Sequence, residues 1–104
     1  MLNNQVVFID YVDNSVVGYL AGSINVESSY VTKSLTKLDN MFILENYRKY
    51  GIGTKLVNEF KKYCLNIGIQ EIKVTASARN NNAINFYKKN GFEDFEVTFK
   101  MTLK

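Results

Sequence analysis

Histidine is absent from this chain of 104 residues, and cysteine occurs once, at position 64. A protein without histidine has no imidazole to act as a general base, and one thiol cannot form an internal disulfide. Proline is absent too, which excludes no fold. No hydrophobic run is long enough for a membrane-spanning helix or a signal peptide. We therefore expect a protein of a reducing compartment, the cytoplasm, with no membrane partner.

The composition predicts a single folded domain over residues 1–104. Hydrophobic residues make up 46% of the chain, with seven Phe and seven Tyr, which is enough for one core. The net charge is +3 and the pI is near 9.0, but the lysines are dispersed and mixed with acids. This pattern favours a solvated surface with weak attraction to anions over a nucleic-acid-binding surface, so no nucleic-acid partner is expected.

The first third of the chain has the pattern of a β-hairpin. Segments 5–12 and 16–26 are rich in β-branched and aromatic residues, and the turn-forming Asp13-Asn14-Ser15 separates them. Gly18 and Gly22 mark a bulge or a close packing contact in the second segment. Residues 27–32 are polar and predict a loop.

The rest of the chain alternates between strand and helix patterns. We predict strands over residues 34–44, 69–78 and 95–103, a long helix from Ile52 to Gly68, and a short helix over residues 83–89. A strand, a helix and a strand in that order predict a right-handed parallel crossover. The predicted fold class is therefore α/β, a mixed and largely antiparallel sheet with two main helices.

The junction between the third strand and the long helix has the features of a phosphate-binding site. Amides in the first turn of a helix lack internal partners and lie at the positive end of the helix dipole. Gly51 and Gly53 allow close approach of a ligand to the backbone, and Arg48 adds charge. Leu56 stands where a Rossmann fingerprint needs its third glycine, and the Gly-Lys-Ser/Thr ending of a P-loop is absent.

Two motifs, R-x-x-G-x-G from Arg48 and N-x-x-A-x-x-F-Y-x-K-x-G-F from Asn80, follow each other with a helix and a strand between them. In this order they resemble the acyl-CoA-binding segments of the GNAT family of N-acetyltransferases. The resemblance covers the chain from about Val16 onward. It implies acetyl-CoA as cosubstrate, no metal, and a parallel strand pair that splays apart to admit the pantetheine arm.

The resemblance also implies roles for individual residues. Tyr87 matches the family's tyrosine acid, which protonates the departing thiolate, and an oxyanion donor is implied near Ile43. The implied cosubstrate-binding residues are Phe42, Ile43, Leu44 and Asn80 for pantetheine, and Arg48, Lys49, Tyr50, Gly51, Ile52, Gly53 and Thr54 for pyrophosphate.

Each of these residues also has a structural interpretation. Tyr87 could be a core aromatic residue and Asn80 a helix N-cap, while Cys64 lies on the apolar stripe of the long helix as a buried, inert thiol. The general base has three candidates. Asp39 is favoured by its position on the strand before the loop, and Glu45 or a water relay are the others.

The predicted function is acetyl-CoA-dependent N-acetylation of a primary amine, on a small molecule or a protein, by direct attack in a ternary complex. The alternative is a noncatalytic acyl-CoA-binding or regulatory module. It is favoured by a departure from the family pattern, because Met1 lies nearly at the second strand and the usual N-terminal strand and helices are missing. Residues 27–37 and a neighbouring subunit would together complete the acceptor pocket of an active enzyme, and an uncovered sheet flank predicts a homodimer.

Overall fold

The computed structural model describes residues 3–25 and 35–104. In chain order, its elements are β1 (Asn3–Val12), β2 (Ser15–Asn25), β3 (Leu35–Ile43), a short 3-10 helix (Glu45–Tyr47), α1 (Ile52–Asn66), β4 (Glu71–Val74) and α2 (Asn81–Lys89). The predicted α/β class with two main helices is confirmed. The predicted loop at residues 27–32 lies outside the described residues.

Strands β1 and β2 form the predicted hairpin. Its two-residue turn places Asp13 and Asn14 at φ 50° and 67°. Positive φ at both central positions is typical of a type I′ turn, whose twist matches that of the flanking strands, and Asn and Asp tolerate this conformation well. The hairpin is therefore specified locally by the turn chemistry.

The sheet has the strand order β1-β2-β3-β4. The first two pairings are antiparallel, and β3 pairs with β4 in parallel, as the crossover pattern predicts. The parallel pairing is short, from Leu35 opposite Glu71 to Leu38 opposite Val74. The predicted strand over residues 69–78 is thus reduced to its central part.

Helix α1 packs on one face of this sheet through its apolar stripe. Phe60, Leu56 and Val57 of α1 are at most 1% exposed, and they lie in one core with Leu20 of β2 and Leu38 of β3. The helix ends before Gly68, whose φ of 85° suits a glycine that terminates a helix. Cys64 lies in this core as an unpaired, buried thiol, as predicted, and burial raises its pKa.

The other face of the sheet is uncovered within the described part of the chain. Val7, Ile9 and Tyr11 of β1 are about half exposed, and Phe42 of β3 is 43% exposed. Alternation along a strand directs these side chains away from α1. The sheet therefore has an exposed apolar face on the side opposite α1.

The prediction of a final strand over residues 95–103 is wrong. These residues have no regular secondary structure, although their apolar and polar side chains alternate. Alternation provides one apolar face, but a strand also needs a neighbouring backbone with which to form hydrogen bonds. No strand pairing is formed by this segment among the described residues.

We expect Gly22→Ala to destabilise the fold by about 1–3 kcal/mol, the usual cost of overpacking a core. A Cβ at Gly22 would overlap the ring of Phe60, which is completely buried, and would lie 3.2 Å from the Lys37 carbonyl oxygen. Urea unfolding measures the loss in the free energy of unfolding. If the overlap with Phe60 is the cause, Phe60→Leu should lower this free energy less in the Gly22→Ala variant than in the natural chain. Losses that simply add in the double variant would contradict this explanation.

Candidate functional site

An opening forms where β4 separates from β3. The two strands pair only as far as Leu38 and Val74, while β3 continues to Ile43. The last five residues of β3 therefore have β2 on one side and no paired strand on the other among the described residues. This is the splayed geometry that the sequence resemblance implies.

The hydrogen bonds of β3 decide which of its peptide groups face the opening. The Leu44 N–H donates to the Val17 carbonyl at 2.8 Å, so Leu44 directs its backbone toward β2. In an antiparallel pair, successive residues alternate in direction, so Phe42 also points to β2, and Met41 and Ile43 point into the opening. Of the predicted residues Phe42, Ile43 and Leu44, Ile43 therefore has its N–H and C=O in the opening, and those of Met41 lie there too.

Unpaired amides stand at the start of α1, close to the end of β3. Gly51 is the N-cap at φ 78°, and the first helical hydrogen bond runs from the Lys55 N–H to the Gly51 carbonyl at 3.0 Å. The amides of Ile52, Gly53 and Thr54 therefore have no partner within the helix. No side chain caps this end. The arrangement can accept the oxygens of a phosphate.

Arg48 makes two contacts that its motif position does not predict. Its Nε donates to the Ile43 carbonyl at 2.8 Å, and its guanidinium carbon lies 5.6 Å from the centroid of the Phe42 ring. Through this bond the side chain connects the loop to the end of β3, and it donates to a carbonyl that faces the opening. The two terminal nitrogens remain to meet an anion, because a guanidinium has five donors.

We expect Arg48→Lys to weaken coenzyme A binding about tenfold, since it loses the charged hydrogen bond that fixes the loop, typically worth about 1.5–3 kcal/mol. Lysine keeps the charge but has no planar fork. Isothermal titration measures the affinity. Lys61→Ala is the control, because Lys61 is exposed on α1 and belongs to none of the predicted binding sets. Full affinity in the Arg48→Lys variant would show that charge alone matters.

Helix α2 lies against the first turn of α1. A Cβ placed on Gly53 would be 3.0 Å from Cζ of Phe86, so the glycine allows this close approach. Tyr87 follows Phe86 and packs edge to face with Phe86 and Phe92 at 5.6 and 5.5 Å between ring centroids. Its ring is half-buried, and burial raises the pKa of its phenol. The hydroxyl therefore keeps its proton at neutral pH.

Asn80 is the N-cap of α2. Its Oδ1 accepts a hydrogen bond from the Ala83 N–H at 3.1 Å. The structural interpretation of this residue is therefore confirmed. The Nδ2 group of the same amide is a donor that capping does not use, so a pantetheine carbonyl could still bind there.

Asp39 is the extra residue of a β-bulge in β3. Asn40 pairs with Ala21 and Leu38 pairs with Gly22, which leaves Asp39 unpaired between them. It is also the first residue beyond the parallel pairing, at the start of the opening. Its Oδ2 accepts a hydrogen bond from the Ser23 hydroxyl. The bulged residue therefore lies where the opening begins, and its carboxylate contacts Ser23 of β2. The sequence indicated Asp39 as a candidate but did not indicate the bulge.

The remaining predicted residues occupy the outer part of the site. Glu45 begins the 3-10 helix just beyond β3, and the side chains of Lys49 and Tyr50 are exposed. An open groove leads from Gly51 and Thr54 along the outer face of α1 and contains Lys55 and Lys62.

In the described ranges there is no cluster of three or more His, Cys, Asp or Glu side chains able to hold a metal ion. None of the described helices has both the length and the apolar character needed to cross a bilayer.

Comparisons with known proteins agree with this geometry. The model of the acetyltransferase (GNAT) family matches residues 2–92. An uncharacterized N-acetyltransferase of Methanocaldococcus jannaschii is 31% identical over 90 residues, which cover 86% of this chain and 40% of that protein. An N-alpha-acetyltransferase of Sulfurisphaera tokodaii is 32% identical over 96 residues, covering 86% and 58% respectively. The chain spans about half the length of these relatives.

Solved structures show the same fold. An aminoglycoside acetyltransferase from an uncultured soil metagenomic sample, in complex with sisomicin, is 28% identical with a TM-score of 0.82, and the match covers 99% of this chain and 68% of that one. The aminoglycoside N-acetyltransferase AAC(6')-Iy, in complex with CoA, has a TM-score of 0.83 at 20% identity, covering 96% and 76%.

Proposed function

Because this chain belongs to the acetyltransferase (GNAT) family, we propose that it transfers the acetyl group of acetyl-CoA to a primary amine by direct attack in a ternary complex. One observation carries the proposal. The peptide groups of Met41 and Ile43 face the opening between β3 and β4, a short distance along the chain from the free amides of α1. An extended pantetheine arm can bind the first set while its pyrophosphate binds the second.

The amine must lose a proton before it attacks the thioester. An alkyl ammonium has a pKa near 10.4, so almost all of it is protonated at neutral pH. We assign the general base to Asp39, directly or through a water, because this exposed carboxylate belongs to the first residue of β3 beyond the parallel pairing with β4. The Ser23 hydroxyl, which donates to this carboxylate, would hold it in place.

Attack on the thioester places negative charge on the carbonyl oxygen. The Ile43 N–H faces the opening and is held there by the β-sheet, so it is suited to stabilise this oxyanion without reorganisation. Arg48 Nε donates a hydrogen bond to the Ile43 carbonyl, and the Leu44 N–H donates to the Val17 carbonyl. The peptide between Ile43 and Leu44, which follows the proposed oxyanion donor, is therefore held at both ends.

Collapse of the tetrahedral species breaks the C–S bond and releases a thiolate, which needs a proton. Tyr87 is suited to donate it, since burial raises its phenol pKa and keeps the proton on the oxygen. The contacts of its neighbour Phe86 with Gly53, in the first turn of α1, support this assignment. We place the reaction in a reducing compartment, the cytoplasm, where a free thiol product persists.

The proposal is tested by incubating the protein with acetyl-CoA and a panel of amines, and following release of free coenzyme A with a thiol reagent. The panel contains a polyamine, an aminoglycoside, free lysine and a peptide with a free N-terminus. Cys64 is only 1% exposed and should add little background signal. Acetyl-CoA-dependent thiol release with at least one amine supports the proposal. Binding of acetyl-CoA without turnover of any amine would favour the noncatalytic acyl-CoA-binding module instead.

A further inference from the structure

Two side-chain hydrogen bonds connect β2 with β3 on the face of the sheet opposite α1, here called the far face. The Ser23 hydroxyl donates to the Asp39 carboxylate, and Asn40 Nδ2 donates to the hydroxyl oxygen of Tyr19 at 2.9 Å. Leu20 of β2 is completely buried in the core under α1, so its neighbour Tyr19 points to the other face. Ser23 lies four residues further along β2 and shares that face. Both polar pairs therefore lie on the far face.

These polar pairs lie along the edge of β3 that borders the opening. Asp39 is the first residue of β3 beyond the pairing with β4, and Asn40 follows it. The side chain of Met41 packs against the core, so the side chains of Asn40 and Phe42 on either side of it lie on the far face. The Phe42 ring lies 6.3 Å from the ring of Tyr19. The far face thus presents a carboxylate, an amide and a phenol beside the proposed reaction centre.

The direction from which the cosubstrate arrives assigns this face to the acceptor. The amides that would bind pyrophosphate belong to the first turn of α1, and α1 packs on the opposite face of the sheet. An acyl-CoA bound there approaches the opening from the α1 side. In a ternary complex the amine then reaches the thioester from the far face, where the carboxylate of the proposed base lies.

The bond between Asn40 and Tyr19 determines what this pair offers to an acceptor. It uses the oxygen of the Tyr19 hydroxyl and one hydrogen of the Asn40 amide, but neither the hydroxyl proton nor Oδ1 of Asn40. The pair can therefore offer one donor and one acceptor side by side. An extended peptide has the matching groups, because the N–H and C=O of one residue point to the same side of the chain. A polyamine at neutral pH has donors only, and it would leave the Tyr19 proton without an acceptor.

We infer that the acceptor is the α-amine of a peptide with a free N-terminus. The amine of its first residue would lie beside Asp39. The N–H of its second residue would donate to Asn40 Oδ1, and the C=O of that residue would accept from the Tyr19 hydroxyl. Tyr19 and Asn40 are then residues that determine the substrate class. The inference rests on the proposed function, since it names the amine that receives the acetyl group.

Three acceptors test the inference on the natural protein, by release of free coenzyme A from acetyl-CoA. They are an amidated alanine tripeptide, its ester analogue in which oxygen replaces the N–H of the second residue, and propylamine, which has no peptide group. We expect kcat/KM to be at least about tenfold lower for the ester analogue than for the tripeptide, the effect of one lost hydrogen bond, and lower again for propylamine. Equal kcat/KM for the tripeptide and propylamine would overturn the inference and leave the proposed function standing. Turnover of no amine would overturn the proposed function itself.

Variants of the two residues test their role in recognition. Tyr19→Phe and Asn40→Ala should each raise KM for the tripeptide about tenfold, with kcat and the turnover of propylamine unchanged. In Asn40→Ala the tripeptide and the ester analogue should become equivalent, which a purely structural defect would not produce. Tyr11→Phe is the matched control, because Tyr11 is an exposed tyrosine of β1, and it should behave like the natural protein. An unchanged KM for the tripeptide in both variants, or an equal loss with propylamine, would overturn the inference.

Discussion

Gly51→Val is expected to weaken the binding of coenzyme A by at least about 100-fold, which corresponds to the loss of two charge-assisted hydrogen bonds of about 1.5 kcal/mol each. Gly51 is at φ 78°, a conformation that a β-branched residue strongly disfavours. A valine there would shift the loop that leads into the amides of Ile52 and Gly53. Isothermal titration with coenzyme A measures the change.

Gly68→Val is the matched control for this substitution. Gly68 has a similar φ of 85°, and no atom lies within 4 Å of the position of a Cβ at either glycine. In both variants the free energy of unfolding should therefore fall by a similar amount. The expected loss is on the order of 1–3 kcal/mol, because a β-branched residue is strained in the left-handed backbone region. Only Gly51→Val should lose coenzyme A affinity. Equal affinities in the two variants would show that pyrophosphate binds elsewhere.

Tyr87→Phe is expected to lower kcat by about 100-fold or more, the contribution typical of a general acid, with little change in the affinity for acetyl-CoA. Only the hydroxyl is removed, and the edge-to-face contacts of the ring with Phe86 and Phe92 remain. The melting temperature should change by no more than a typical surface substitution changes it. Steady-state kinetics with the best amine of the panel, beside a binding titration, separate the two effects.

The pH dependence of turnover provides a second test of Tyr87. Its pKa is raised above the ordinary value of about 10 by burial, so its proton is retained throughout the range in which amines begin to deprotonate. The rate should therefore rise with pH and show no decline below about pH 10. Tyr63→Phe, which alters a half-buried tyrosine packed on Phe8, should leave kcat unchanged. An unchanged kcat in the Tyr87→Phe variant would remove this residue from the mechanism.

The sequence patterns predicted the elements whose formation depends on neighbours along the chain. The stripe of α1 repeats every three or four residues, and the Asp13-Asn14 turn determines the hairpin, so both were predicted and confirmed. The final strand was predicted from the same kind of pattern and was wrong. Alternation specifies which side chains share a face, but a strand forms only when another backbone supplies its hydrogen bonds.

Within the site, the sequence predicted the motif residues and their order, but it did not predict the direction of their side chains and peptide groups. The bond from Arg48 Nε to the Ile43 carbonyl was not predicted, although the other guanidinium nitrogens remain able to meet an anion. The bond from the Leu44 N–H to the Val17 carbonyl was not predicted either. Both outcomes depend on the pairing of β3 with β2, which brings together residues far apart in the chain.

By itself, the sequence determined the α/β class, the hairpin, the two helices and the glycine-bearing start of α1. These features depend on short-range periodicity and on turn residues, which are close to each other along the chain. Only the tertiary structure decided that the peptide groups of Met41 and Ile43 face the opening and that Asp39 forms a β-bulge where the opening begins. It also decided that residues 95–103 form no strand pairing with the other described residues. The physical reason is that strand register and strand separation are set by hydrogen bonds between distant segments, and a one-residue shift reverses the direction of every peptide group.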